Sequence, residues 1–441
     1  MFTNKDLRKL IVPLVIEQVL AMTIGLADTM MVSSCGEAAV SGVSIVDSIN
    51  YLFITLFVAL STGGSVVAAQ YIGMGEKKEA SKSANQLFYI SVSVALVCGL
   101  ACCFFRSPIL HFIYKNVDED VMQYALIYFL LTAASYPFLA AYNSGAALFR
   151  AMGDSKTSMY TSFLMNGLNV AGNAVLIFGF GMGVKGAAIA TLGSRIVGSI
   201  LITYLLLNQN RTLCYKALYK IKFNGFLIKK MLYIGIPNGI ENSIFQIGKI
   251  IVASIVAVLG TTSITANTIC SNLAGFQVTP GMAVGVAMIT VVGQCVGAKE
   301  YEQARKYIRK LMLVAYCLVW FMTAFLLIFH KPILSLYNLS EETESLTLTC
   351  FIIHAVCAVI IWPPAFSLPN ALRAANDVTF TMVASLSSMI LFRVTLTYIL
   401  INCFHVSVVA VWIAMCSDWL IRAICFVVRI KSDAWTKKQL L

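Results

Sequence analysis

QYIGMGEKKEA at residues 70–80 returns as QCVGAKEYEQA at residues 294–304, and that return decides the fold. Gln70, Gly73, Glu76 and Ala80 are matched by Gln294, Gly297, Glu300 and Ala304 at an offset of 224 residues. The same offset pairs Pro13 with Pro237, Glu17 with Glu241 and Gly36 with Gly260, while Arg150, Ala151 and Asp154 return at an offset of 223 as Arg373, Ala374 and Asp377. Scattered identities arise by chance; clustered charges, prolines and glycines in matching places do not. The chain is a duplicated unit, and such a repeat fixes the architecture before any motif is read.

Working outward, composition names the solvent. With 59% hydrophobic and 12% charged residues and a mean hydropathy of +0.83, the chain falls well below the charge content of soluble domains. Apolar runs long enough to cross a hydrocarbon core of about 30 Å fall near 10–34, 46–71, 86–105, 123–148, 161–181 and 186–207. A second set falls near 231–258, 268–296, 311–329, 347–371, 379–401 and 406–428. The expected fold is therefore an all-α membrane protein of about twelve transmembrane helices. An even number per half makes the halves parallel repeats, with a substrate path expected in a central cleft between two six-helix bundles. The divisions expected are an N-terminal lobe at 1–207, a basic linker at 208–230 and a C-terminal lobe at 231–441.

The net charge of +12 is distributed by topology. Lys5, Arg8, Lys9, Lys77, Lys78, Lys82, Arg150, Lys156, the segment from Arg211 to Lys230, Lys299 to Lys310, Arg373 and the tail fall on one side of the expected membrane. The opposite loops hold only Arg106, Lys115, Lys185 and Lys331 among the cations, and carry Asp118, Glu119, Asp120, Glu341, Glu342 and Glu344. The positive-inside rule then places both termini in the cytoplasm, and nucleic acid is not an expected partner. The basic start followed by an apolar run is a first spanning helix and not a signal peptide, since the run is long and contains Glu17 and Asp28. The 13 cysteines lie mostly within the runs and read as small hydrophobes. The four histidines (His111, His330, His354, His405) show no metal-ligand spacing. No HExxH, GxSxG or GxxxxGK[ST] motif occurs, so an enzyme is not expected and no metal or cofactor is implied.

Chemistry is sought where ionisable groups sit in lipid, at a cost of about 2.5–3.5 kcal/mol each at a helix centre. The qualifying residues are Glu17 and Asp28 in the first run, Glu241 and Lys249 in the seventh, Arg195, Arg393, Asp418 and Arg422, with Asp47 at an outer edge. Asp28 stands eight residues before the turn at Gly36, about 12 Å along a helix. Asn173 and Thr191 stand at comparable distance from the turn near Gly183. Asn166, Asn169 and Asn173 share one helical face that can point at Thr191 and Asp28. A carboxylate with amide oxygens and a hydroxyl suits a hard monovalent cation, or a carboxylate that gains and loses a proton. The same residues would equally serve as hydrogen-bonding glue between helices.

Glu241 follows Pro237 by four residues, as Glu17 follows Pro13. A proline there frees a carbonyl one turn back and kinks the helix, so both glutamates are substrate or coupling candidates. Glu241 can alternatively pair with Lys249 or an arginine, and Glu17 can reach cytoplasmic water. Arg195, Arg393, Asp418 and Arg422 read as ion pairs or snorkelling groups at the inner helix ends.

PLVIEQVLAMTIGLADTMMV at 13–32, QYIGMGEKKEA, FRAMGD at 149–154, NVAGNAVLIFGFGMGVKGAAIAT at 169–191, IPNGIENSIFQ around Glu241 and GQCVGAKEYEQAR together resemble a multidrug and toxic compound extrusion (MATE) transporter over nearly the whole length. The resemblance implies alternating access and export of small organic cations against inward sodium or proton movement. It implies a cation site at Asp28, Asn169, Asn173 and Thr191, and a coupling glutamate at Glu241. Position 173 is often aspartate in such proteins; asparagine there leaves the choice of ion open. An acidic residue found in the tenth helix of some branches has no counterpart in IIWPPAFSLPN. The alternative reading is a lipid-linked precursor or polysaccharide flippase of the same superfamily, which would favour a cationic cleft. A monomer in a bacterial inner membrane is expected.

Overall fold

A computed structural model describes the chain except for residues 115, 116, 217, 219, 220, 338, 405 and 439–441, and except for the side chain of Leu26. Lys115 and His405, named above, lie outside the described residues. The described residues form long helices joined by short turns, with no strand among them. Among the described residues eleven helices are long and apolar enough to span a membrane, and a bent pair taken as one makes a twelfth span.

In chain order the spans are α1 (Asn4–Ser33), α2 (Glu37–Gly73), α3 (Lys77–Phe104), α4 (Glu119–Ala134 with Tyr136–Ala151, bent by 46°), α5 (Ser155–Gly179) and α6 (Gly183–Leu206). The second half supplies α7 (Gly225–Ala257), α8 (Thr261–Gly297), α9 (Tyr301–Ile328), α10 (Glu341–Ala374), α11 (Val378–Asn402) and α12 (Val409–Lys431). Short helices at Arg106–Ile113 and His330–Ser335 occupy the two longer loops outside the basic segment.

The repeat is kept residue for residue in two pairs of helices. α2 and α8 both run for 37 residues and start and stop 224 positions apart; α3 and α9 both run for 28. The turns between them keep their hand even where the residue changes. Gly36 and Gly260 open α2 and α8 at φ +100° and +90°, while Gly75 at φ +81° is matched by Lys299 at φ +61°. In the same way Gly153 at φ +83° is matched by Asn376 at φ +67°, asparagine being among the side chains that tolerate the left-handed region. Among the spans α2 and α8 are the most buried in their halves, with 61% and 78% of their apolar windows inside the protein.

The chain divides into two compact units, Phe2–Gly239 and Ile240–Leu441, the latter joined by Met1. The division falls inside α7, whose Val252 and Val256 belong to the core of the second unit. In the first unit Phe57, Phe129, Tyr136 and Leu139 centre a core fed by α2, α4 and α6. α7 crosses α2 at glycines: a Cβ on Gly63 would lie 2.3 Å from the Met231 carbonyl oxygen. The basic segment before α7 is laced to α3, where Asn85 donates to the Lys216 carbonyl at 2.6 Å, Gln86 to that of Lys222 at 2.7 Å and Tyr89 to that of Leu218 at 3.3 Å. In the second unit Val319, Phe351, Trp362, Trp412 and Trp419 belong to one core built from α8 to α12. Pro13 and Pro237 both sit inside continuous helices, α1 and α7.

Candidate functional site

Within the first unit, α1, α5 and α6 bring the expected polar residues together as two pairs. The Asn173 amide donates to the Asp28 carboxylate, and the Asn169 amide donates to the Thr191 hydroxyl at 3.1 Å. Asn166, one turn further down α5, turns to Ser162 at 3.3 Å instead. Asp28 is partly buried and Asn173 fully so. The second oxygen of that pair is the informative one: Asn173 Oδ1 is buried with no hydrogen-bond partner among the described residues. An acceptor left so costs about 1–3 kcal/mol, and it stands beside a carboxylate, where a cation or a proton-bearing group would satisfy it.

Asn173 is the last residue of regular helix in α5. From Ala174 to Gly179 the backbone widens into a π-helical turn, a form found mostly as single turns at functional sites.

Around this core lie Asp47, expected at an outer edge, and Arg195, expected as an ion-pair or snorkelling group. Asp28, Asp47 and Arg195 are within electrostatic reach of one another. Asp47 accepts from Asn50 at 3.4 Å, and Asn50 in turn accepts from the Tyr136 hydroxyl at 2.7 Å. Arg195 donates to Ser135 at 2.6 Å, at the break in α4. Asn50 falls one helical turn after Asp47, which was the available signal; Tyr136 gave none.

Both proline-linked glutamates are buried and engaged. In the first unit Glu17 accepts from Ser158 at 3.1 Å and stands 3.5 Å from Arg150, so its carboxylate is covered even though it lies toward the helix start. In the second unit Glu241 accepts from Arg373 at 2.8 Å. The arginine, not Lys249, is its partner.

The remaining charges of the second unit cluster around Asp418. This fully buried carboxylate accepts from Arg422 at 2.8 Å and from Ser388 at 2.6 Å, while Arg393 stands off at 3.9 Å. Two helices meet there: α12 carries Asp418 and Arg422, and α11 brings Ser388 and, on a π-helical turn from Met389 to Thr395, Arg393.

Spans repeated in two halves, with buried carboxylates and amides along their helices, define a multi-pass membrane protein of the duplicated transporter type that the family match below identifies. The MatE family profile matches residues 13–175 and again residues 237–399, two matches whose starts and ends are each separated by the repeat's own offset. The chain belongs to the MatE family. The uncharacterized transporter YisQ of Bacillus subtilis is 27% identical over 437 residues, covering 97% of this chain and 94% of the relative. The probable multidrug resistance protein NorM of Thermotoga maritima is 26% identical over 448 residues, covering 99% and 94%. Among solved structures, a MATE protein in complex with MaL6 superposes with a TM-score of 0.90 at 20% identity, covering 98% of this chain and 97% of that one. A MOP superfamily transporter from Pyrococcus furiosus, described as having a binding pocket of reverse polarity that suggests a different function, superposes with a TM-score of 0.89 at 20% identity, covering 99% and 97%. At that identity the two structures speak for the fold alone.

Proposed function

We propose that the chain is a multidrug efflux transporter that works by antiport, with the coupling ion, sodium or proton, taken up at Asp28. The observation that carries the reading is the Asn173 side chain: its amide fixes the Asp28 carboxylate while its buried oxygen lacks a donor. Asn169 and Thr191 lie on the same pair of helices and extend the oxygen set. Occupancy there changes what α1 and α5 present to each other, and an ion shifts the access equilibrium only by binding one state better than the other. Carboxylates at Asp28 and Asp47 favour small organic cations as the exported class on this side of the molecule. Glu241 and Glu17, each tied to an arginine, are proposed to act on coupling through those ties. The protein is proposed to work as a monomer in a bacterial inner membrane with both termini cytoplasmic. Relatives matched over nearly their full length carry multidrug-resistance names, which supports drug export over lipid-precursor flipping.

The test is efflux of a fluorescent organic cation from proteoliposomes under sodium and proton gradients imposed separately, with Asp28→Asn beside the wild type. Dye movement driven by one gradient and lost in the variant supports the reading and names the ion. Gradient-independent movement in both proteins sinks it.

A further inference from the structure

We infer that the second unit holds a separate binding site for the anionic group of an aromatic organic acid. A cavity of about 420 Å³ opens among α7, α8, α10, α11 and α12, within the size range of small-molecule sites. Its charged lining is Lys249 and Arg393, and no carboxylate lines it among the described residues. This polarity is opposite to that around Asp28.

The cations are loosely held. Lys249 makes no hydrogen bond or ion pair among the described residues; its ammonium lies 5.2 Å from the ring of Phe245. Arg393 stands 3.9 Å from Asp418 Oδ2, which has no hydrogen-bond donor among the described residues because Arg422 and Ser388 both hold Oδ1, and the Arg393 Nε has no acceptor. Two further donors lack acceptors: the indole N–H groups of Trp412 and Trp419, both lining the cavity and both more than nine-tenths buried. Surplus positive charge and orphaned donors in one apolar chamber are the complement of a carboxylate, sulfonate or phosphate. Charge-assisted hydrogen bonds are the stronger kind. Five aromatic side chains share the wall with aliphatic and polar ones, with Trp362 and Phe366 stacked at 5.3 Å and Trp419 set edge-on to Phe366 at 5.5 Å, a surface that suits a planar ring. Asp418 is not among the lining residues, and Lys249 is the charge that a ligand meets unopposed.

Trp362, Trp412 and Trp419 are three of the five tryptophans in the chain, so binding has an intrinsic reporter. Full-length protein in a non-ionic detergent is titrated with bromobenzoate, whose bromine quenches indole emission, and with neutral bromobenzamide and cationic bromobenzylammonium. The expected result is saturable quenching by the carboxylate at roughly tenfold lower concentration than by the amide, about one strong charged contact, and weaker still by the cation. Lys249→Gln is expected to erase the preference and leave bromobenzamide unchanged, while Lys249→Arg retains it. Equal affinity for all three probes, or a preference that survives Lys249→Gln, overturns the proposal. Displacement of bromobenzoate by phosphatidylglycerol but not phosphatidylcholine would assign the anion to a lipid headgroup; failure to displace would assign it to a soluble acid, and either supports an anion site. Binding in detergent needs no gradient, so failure of the antiport reading leaves this result standing, and the reverse.

Discussion

Arg373 closes on Glu241 at 2.8 Å in the second unit, and 223 to 224 positions earlier Arg150 stands 3.5 Å from Glu17 in the first. One buried ion pair has been kept through the duplication in two different geometries. The first copy is relayed through Ser158, which accepts from Arg150 and donates to Glu17. The second is direct. Removing Arg373 strands a buried carboxylate, so Arg373→Met is expected to lower stability by about 3–5 kcal/mol, and adding Glu241→Gln to recover most of it. Arg150→Met is expected to cost less, since Ser158 still donates. Thermal unfolding of the purified variants in one detergent measures all three; equal losses at the two arginines would mean that the pairs are equivalent after all.

Asn173 holds Asp28 and keeps an oxygen in reserve. Asn173→Asp places a second carboxylate against the first and strengthens the site for a desolvated sodium ion, or forces the pair to share a proton. The variant is expected to shift transport toward sodium dependence, while Asn173→Ala loses coupling under either gradient. Dye efflux at a series of sodium concentrations reads the shift; a sodium response identical to that of the wild type would place the ion elsewhere.

Gly63 and Gly248 make a matched pair of tests for close packing. A Cβ at Gly63 would meet the Met231 backbone carbonyl at 2.3 Å, whereas one at Gly248 would meet the end of the Met389 side chain at 1.9 Å. Backbone cannot give way but a methionine tip can. Gly63→Ala is expected to cost about 1–3 kcal/mol or more, and Gly248→Ala under about 1 kcal/mol, compared by melting temperature.

Lys299 adopts at φ +61° the turn that Gly75 makes at φ +81°. The left-handed region costs a side-chain-bearing residue roughly 1–2 kcal/mol, part of which glycine returns as entropy of the unfolded chain. Lys299→Gly is therefore expected to raise the melting temperature slightly and Gly75→Lys to lower it. Opposite signs at the two equivalent positions are the diagnostic outcome.

The duplication, the number of spans and the glycine turns were legible in the sequence because they rest on local rules: apolar length, proline and glycine punctuation, identity at one offset. Asp28, Asn173, Asn169 and Thr191 were legible as a group because helical spacing fixes a face. Which asparagine met which partner was not. Counting residues from the turn put Asn173 level with Thr191, yet Asn169 is the one that bonds it. The π-helical turn at Ala174–Gly179 accounts for the slip: a wider turn advances less along the axis per residue, so Asn173 lies nearer the turn than regular helix allows. Lys249 read as a possible partner of Glu241 and Arg393 as an ion-pair or snorkelling group, because the chamber they share is formed by helices that are distant in sequence. The covered state of Glu17 was hidden for the same reason, since its partners lie more than a hundred residues away.

The lacing of Lys216, Leu218, Lys222 and Asn224 to α3 bears on how the gene can be cut. Asn85 and Gln86 grip the segment from both directions, as donors to Lys216 and Lys222 and as acceptors from the backbone N–H groups of Lys216 and Asn224. The first fifteen residues of α7, Gly225–Gly239, then fall in the same compact unit as α3. A nick in the basic segment thus opens a loop of the first unit and does not part the molecule at its seam. Two fragments expressed from a split there would interlock, the second lending the start of α7 to the first, and complementation should succeed where a split placed at Gly239 would sever a helix in mid-course.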